Sequence, residues 1–367
     1  MRPPLHLESD PIMGLATPPG SSAVAVLRLS GPNLLPSLLP LFSTPSGNAL
    51  EVGDFTPRKL RLLYFLDYDD APPLDQVLVV YFPAPHSATG EDQVEIHPHG
   101  SPVILSRMME RLLEVGFRTA RPGEFSRRAY LNGKMDLVQA EALMGLIEAS
   151  SLRAAREASR QLAGSLSERL GAIRGELVAL LSHLEAGLDF PDEEISPDNQ
   201  AVIAERLAQV LASLQEMLSS AQTGRHLSEG FQLVIMGRPN VGKSSLFNRL
   251  IGQDRAIVTP LPGTTRDLIE NQLIIDGIPV LLVDSAGIRS QAEEIEQEGI
   301  RRAKAKAQGA DGVLFVGEAH LGLQEEEELM LGGLDPERLI VVWNKGDLCS
   351  PLPDPTRVNP PSPPQTP

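Results

Sequence analysis

The sequence is short of three things. One cysteine, Cys349, in 367 residues excludes an intramolecular disulfide framework and suits a reducing cytoplasm. Basic residues are outnumbered, 32 Lys and Arg against 48 Asp and Glu, for a net charge of −16. That balance argues against non-specific binding to nucleic acid or an anionic membrane, although it leaves room for a local basic groove or a partner that carries RNA. No apolar run approaches the ~20 residues of a membrane span. The opening Met1-Arg2-Pro3-Pro4 leads into no apolar segment, so no signal peptide and a cytoplasmic location are expected. No internal repeat is present.

What the chain has is enough apolar content, 42%, for packed cores. Its length implies two or three domains, because a single core rarely grows past ~250–300 residues. Residues 1–118 alternate β-rich runs, such as Ala23–Leu29 and Gln76–Phe82, with Pro and Gly breaks, and one helix is expected near Pro102 to Gly116. This reads as an α+β domain. From Leu137 an apolar helical period continues to about Ala221, broken by the acidic Asp189–Pro197, and gives an all-α domain over 119–225. Residues 226–349 read as an α/β nucleotide domain with a parallel-type sheet. In Pro351–Pro367 eight of seventeen residues are proline, so 350–367 is expected to be disordered.

Gly237-Arg238-Pro239-Asn240-Val241-Gly242-Lys243-Ser244 follows an apolar strand and precedes a helical stretch. Strand, glycine loop and helix in that order form a P-loop, in which backbone N–H groups and the helix N-terminus surround phosphates. Lys243 is expected to reach the β- and γ-phosphates, and Ser244 to hold Mg²⁺. Val283-Asp284-Ser285-Ala286-Gly287 puts a carboxylate at a strand end near the metal and an N–H at the γ-phosphate. Thr264-Thr265 lies where a threonine completes the Mg²⁺ shell. Asn344-Lys345-Gly346-Asp347 ends another strand, and a carboxylate there accepts two N–H bonds from guanine. Alone, that tetrapeptide reads as a surface turn; the four pieces in this order specify a guanine nucleotide. No glutamine follows Gly287; Ile288 stands there and cannot orient a water.

With these residues in place, the chain resembles the tRNA-modification GTPase family MnmE, also called TrmE. The resemblance extends beyond the GTPase motifs. It takes in Ala16–Gly20 with Leu27–Gly31, Gly90–Gly100, Arg121–Ser126 through Leu131–Leu137 with Gln139–Ala142, and Asp189–Glu194. It implies a tetrahydrofolate-binding and homodimerising N-terminal domain, with 5-formyltetrahydrofolate or a related folate held by Arg28, Glu95 and Lys134. Read without it, Arg28 and Lys134 are exposed charges and Glu95 a polar strand position. The His97 and His99 spacing suits one metal ion poorly. In the family Pro98 is commonly a cysteine and Ser285 a threonine.

The resemblance also implies K⁺ activation. Asn240 would be the side-chain ligand, and Thr259, Leu261 and Thr264, within Thr259-Pro260-Leu261-Pro262-Gly263-Thr264, the loop ligands. Glu296 would position the attacking water beside catalytic Lys243. Ser244 and Thr265 would serve Mg²⁺, and Val241, Gly242, Ser245, Thr265, Asp284, Ser285, Ala286, Gly287, Asn344, Lys345 and Asp347 would join the GTP shell. The implied reaction adds a carboxymethylaminomethyl group at C5 of the wobble uridine U34 of certain tRNAs. The implied partner is the flavoprotein MnmG (GidA), in a heterotetramer. Two other readings are a ribosome-assembly GTPase that binds RNA, and an inactive fragment that retains only folate binding or dimerisation. Family members continue past the base-reading turn to finish the GTPase and helical domains and end in a cysteine-containing tetrapeptide. Cys349 lacks the residues that flank that cysteine. The expectation is therefore a GTPase domain incomplete at its C-terminus, less stable and less active than a longer relative.

Overall fold

The alternation of buried and exposed residues along Gln76-Val77-Leu78-Val79 is that of a sheet with one face in a core. Val77 and Val79 are buried and Leu78 is exposed. In the computed structural model, which describes residues 10–68, 71–189, 198–253, 272–284 and 305–349, this run is part of a seven-stranded sheet. Its strands are β1 (Ile12–Leu15), β2 (Leu27–Gly31), β3 (Phe42–Ser43), β4 (Arg61–Phe65), β5 (Asp75–Phe82), β6 (Asp92–His97) and β7 (Arg118–Thr119). Their order is β3-β4-β5-β6-β2-β1-β7, antiparallel except for the β1–β7 pair.

Helix α2 (Pro102–Glu114) covers the apolar face. Leu105, Met108 and Leu112 fall on one side of it and pack with Leu27, Leu29, Val94 and Ile96. The sequence predicted only this helix before residue 118. The structure adds a short one, α1 (Leu34–Leu38), whose Leu34, Leu35 and Leu38 are buried. Pro36 made that stretch look like a break, but proline is tolerated in the first turn, where the N–H has no helical partner. The chain's first compact unit runs to Glu141, past residue 118, and includes α3 (Glu124–Leu131).

The second unit, Ala142–Pro367, begins within α4 (Leu137–Ile147) and continues through α5 (Leu152–Leu162), α6 (Ser165–Asp189) and α7 (Asp198–Glu229). Ser151 caps α5 by accepting the Ala154 N–H at 3.1 Å. The helical period extends beyond Ala221 to Glu229, where Gly230 (φ 87°) ends it. Most of the acidic interruption, residues 190–197, lies outside the described residues, as does the proline-rich 350–367.

A five-stranded sheet follows, made of β8 (Phe231–Met236), β9 (Gln272–Ile275), β10 (Ile278–Asp284), β11 (Gly312–Glu318) and β12 (Leu339–Asn344). Its order, β12-β11-β8-β10-β9, is parallel apart from the β9–β10 hairpin. Asp276 and Gly277 both have positive φ at that hairpin's turn, as a type I′ turn requires. Val234, Met236, Val313 and Phe315 face α9 (Glu325–Leu331) through Met330 and Leu331. Ile235, Leu282, Leu314 and Val316 face α8 (Lys243–Gln253) through Leu246, Phe247 and Leu250. Both faces are covered, as a parallel sheet demands. Asp311 fastens α7 to this sheet: Arg225 Nη2 donates to Oδ1 at 2.9 Å, His226 Nε2 lies 3.0 Å from Oδ1, and the Gln232 N–H donates to Oδ2 at 2.9 Å.

Candidate nucleotide site

β8 lies between β11 and β10, where connections leave to both sides, and its C-terminal end is therefore where an open α/β sheet leaves a crevice. The glycine loop fills that end. Gly237 (φ 146°) passes so close to β11 that a Cβ on it would lie 2.2 Å from the Val316 carbonyl oxygen. Gly242 (φ 103°) is equally constrained, since a Cβ there would lie 2.0 Å from Asn344 Nδ2. Asn240, a non-glycine residue, holds a left-handed φ of 63° and is exposed.

Lys243 is the first residue of α8 and is buried. Its ammonium donates to the carbonyl oxygens of Gly237 at 2.8 Å and Arg238 at 2.7 Å, so it lies folded across its own loop. Ser244 and Ser245 stand exposed on the first turn of α8. As the N-terminal turn of a helix, where the macrodipole is positive, it suits an anion.

The Asn344–Asp347 turn, where the sequence predicts base reading, is joined directly to the loop. Asn344 Nδ2 donates to the Val241 carbonyl at 2.7 Å. Lys345 has φ 57° and starts the 3-10 turn Gly346–Leu348, which leaves Asp347 exposed. Asn240, Val241, Gly242, Lys243, Ser244, Ser245, Asn344, Lys345 and Asp347 thus come from the two adjoining ends of one sheet. Asp284 ends β10, paired in register with Ile235 of β8. Thr259, Pro260, Leu261, Pro262, Gly263, Thr264, Thr265, Ser285, Ala286, Gly287 and Glu296 lie outside the described residues.

Sequence reasoning missed two acids here. Glu318, at the end of β11, receives a bond from Lys345 Nζ at 2.6 Å, which holds its carboxyl below the ordinary glutamate value. Buried Glu327 lines a cavity of about 110 Å³ beside Arg238 and Val241, and burial pushes its carboxyl up. The signal for Glu318 was available as an acid closing an apolar run, the pattern that singled out Asp284.

In the first unit, Arg28 and Glu95 are direct cross-strand partners, with Nη2 and Oε1 2.9 Å apart. Gln93 Nε2 donates to the same oxygen at 3.2 Å, and His97 Nε2 is 3.4 Å from Oε2. His99 instead pairs with Asp75 at 2.7 Å. Lys134 is held by another segment, donating to the Pro85 carbonyl at 2.9 Å. The same unit holds an ionic network centred on buried Glu124 and Arg128. Arg118 grips Glu124 with two bonds, of 2.6 and 2.9 Å, and Arg128 bridges Glu124 at 3.1 Å to Glu91 at 3.0 Å. The Arg118 bonds above all hold the Glu124 carboxyl down to about 2.

Comparisons with known proteins agree with this architecture. The family model described as "GTP-binding protein TrmE N-terminus" matches residues 11–134, and that described as "MnmE helical domain" matches residues 137–348. A protein named tRNA modification GTPase MnmE from Magnetococcus marinus is 56% identical over 349 residues, which is 95% of this chain and 74% of that protein. Proteins of the same name from Nitrosococcus oceani and Aquifex aeolicus are 44% and 42% identical, over 93% and 92% of this chain and 72% and 74% of their own lengths. Both family models, and relatives matched over nearly the whole chain, lead to one statement: the chain belongs to the MnmE family of tRNA modification GTPases.

Proposed function

We propose that this chain binds and hydrolyses GTP in the service of tRNA modification. The observation that carries the reading is the bond from Asn344 to Val241, which joins a phosphate-binding loop to a guanine-reading turn in one rigid corner. Lys243, now bonded to loop carbonyls, would turn to the β- and γ-phosphates when they arrive. Asp347 would accept the two guanine N–H groups, and adenine, with no 2-amino group and no hydrogen on N1, would leave it unpaired. Mg²⁺ and K⁺ fit the donors present: Ser244 offers a hydroxyl on the first turn of α8, and Asn240 an exposed amide on the loop. Bound there, such cations would neutralise charge that builds on the phosphates. Thr265 would complete the Mg²⁺ shell, Thr259, Leu261 and Thr264 the K⁺ shell, and Glu296 would position water.

The reading extends to 5-formyltetrahydrofolate or a related folate in the N-terminal unit. Glu95 would release Arg28 to take the donors of a pterin edge, and Arg28 and Lys134 would meet the glutamyl carboxylates. As a homodimer with the flavoprotein MnmG, the chain would carry the one-carbon unit to the wobble uridine. With a net charge of −16, much of the basic surface for tRNA would come from that partner. GTP turnover in K⁺ against Na⁺, with folate binding measured by calorimetry, tests the proposal. K⁺-stimulated turnover with folate binding is expected. Turnover indifferent to the cation refutes the K⁺ assignment; folate binding without turnover refutes the enzyme reading.

A further inference from the structure

The lysine of the base-reading turn has an unassigned anchor. Lys345 has a left-handed backbone, so the pleat of β12 does not direct its side chain. What fixes it is the far end, where Nζ sits 2.6 Å from Glu318 Oε1. Glu318 is the register partner of Asn344 across the β11–β12 ladder, and the next N–H, that of Ala319, donates to the Asn344 carbonyl at 2.8 Å. The anchor is therefore built into the same ladder that places Asn344. The other carboxylate oxygen of Glu318 lies 3.5 Å from His320 Nε2. Arg238 of the phosphate loop lines the same cavity and adds positive field. One carboxylate thus faces the base turn, its own strand end and the phosphate loop.

We infer that Glu318 is a positioning residue for the guanine base: by holding the Lys345 ammonium, it lays the lysine's carbon stem beside the base turn as a flat apolar surface for the purine. An ammonium with no such anchor would follow water or the phosphates, and its stem would leave with it. The triphosphate's reacting end is not involved. Loss of the anchor should therefore weaken GDP and GTP alike and leave the chemical step alone. The inference rests on the reading of Asn344–Asp347 as the guanine-selecting turn.

The test uses the full chain, with GDP and a non-hydrolysable GTP analogue titrated calorimetrically and Tm measured for each variant. E318Q should raise both Kd values about tenfold, the scale of one charge-assisted hydrogen bond. KM for GTP should rise similarly while kcat stays within about twofold. E318D, which keeps the charge, should recover most of the affinity at unchanged Tm. In the K345M background, E318Q should cost nothing further. Unchanged affinity in E318Q, losses that multiply with those of K345M, or a fall in kcat at constant KM would each overturn the inference. D347N separates this from the underlying reading, because an amide donor should favour the 2-oxo group of xanthosine diphosphate over GDP. If that switch fails, the base-turn reading and the inference fall together; if it occurs, the Glu318 outcomes judge the inference alone.

Discussion

Replacing Gly242 by alanine isolates the joint between the phosphate loop and the base turn. Two costs meet at this position. The backbone φ of 103° lies where an L side chain is strained, which costs about 1–3 kcal/mol. The new Cβ would also lie 2.0 Å from Asn344 Nδ2, so the amide must leave and its bond to the Val241 carbonyl is lost. That bond contributes about 1 kcal/mol. The free loop can relieve both by moving out of its cradle shape, but a bound nucleotide needs the cradle. The cost should therefore appear in affinity more than in stability. A total of about 2–4 kcal/mol predicts a loss of GDP affinity of roughly two orders of magnitude. Calorimetric titration of G242A against the parent measures it. In an N344A background the clash is gone, and the added cost of G242A should fall to about tenfold, the backbone share alone. G252A is the control: a Cβ on Gly252, inside α8, would meet nothing within 4 Å among the described residues, so alanine should leave binding unchanged and add about 0.5–1 kcal/mol of stability. If G242A binds GDP within about threefold of the parent, the joint does not shape the site and the reasoning fails.

Other expectations follow from the same geometry. G237A sets a Cβ 2.2 Å from a backbone carbonyl that β11 cannot move, so its urea midpoint should fall below that of G242A. E124Q leaves buried Arg128 and its partner Arg118 short of a charge, and should cost about 3–5 kcal/mol in denaturant titrations. The Glu124 carboxyl has a folded value of about 2 against an ordinary 4.5. Its contribution is therefore whole above the ordinary value and drains away as pH falls towards 2. Hydrogen exchange at α3 should accelerate through that window in the parent and show a flatter response in E124Q. D311N keeps one acceptor, for the Gln232 N–H, but loses the charge and the acceptor facing Arg225 and His226, and should lower the stability of the second unit by about 1–2 kcal/mol in denaturant titrations.

What could be read in advance followed the range of the physics. β5, the order of elements around the second sheet, and α2 were legible because burial imposes a period on the residues themselves, whereas the run Ala23–Leu29 is strand only from Leu27. The phosphate loop and base turn were legible because each is a run of adjacent residues. The Asn344–Val241 bond was not, since it closes over 103 positions. The Arg28–Glu95 pair spans 67 and the Lys345–Glu318 pair 27. Such contacts exist only once strand order and register are fixed. The helix at Leu34–Leu38 was hidden for a local reason, a proline where the first turn happens to accept one.

Trp343, the sole tryptophan, precedes Asn344 and stands opposite Gly317 of β11, the residue just before Glu318. The indole fills the space that a side chain at 317 would need, with Cζ3 2.7 Å from where a Cβ would be, and its N–H is shielded and has no partner among the described residues. A half-buried indole next to the residue that bonds Val241 responds in its emission to small shifts of its surroundings. The fold has thereby placed a built-in optical probe behind the base turn. Entry and departure of nucleotide can be timed in the unlabelled protein by exciting that one ring.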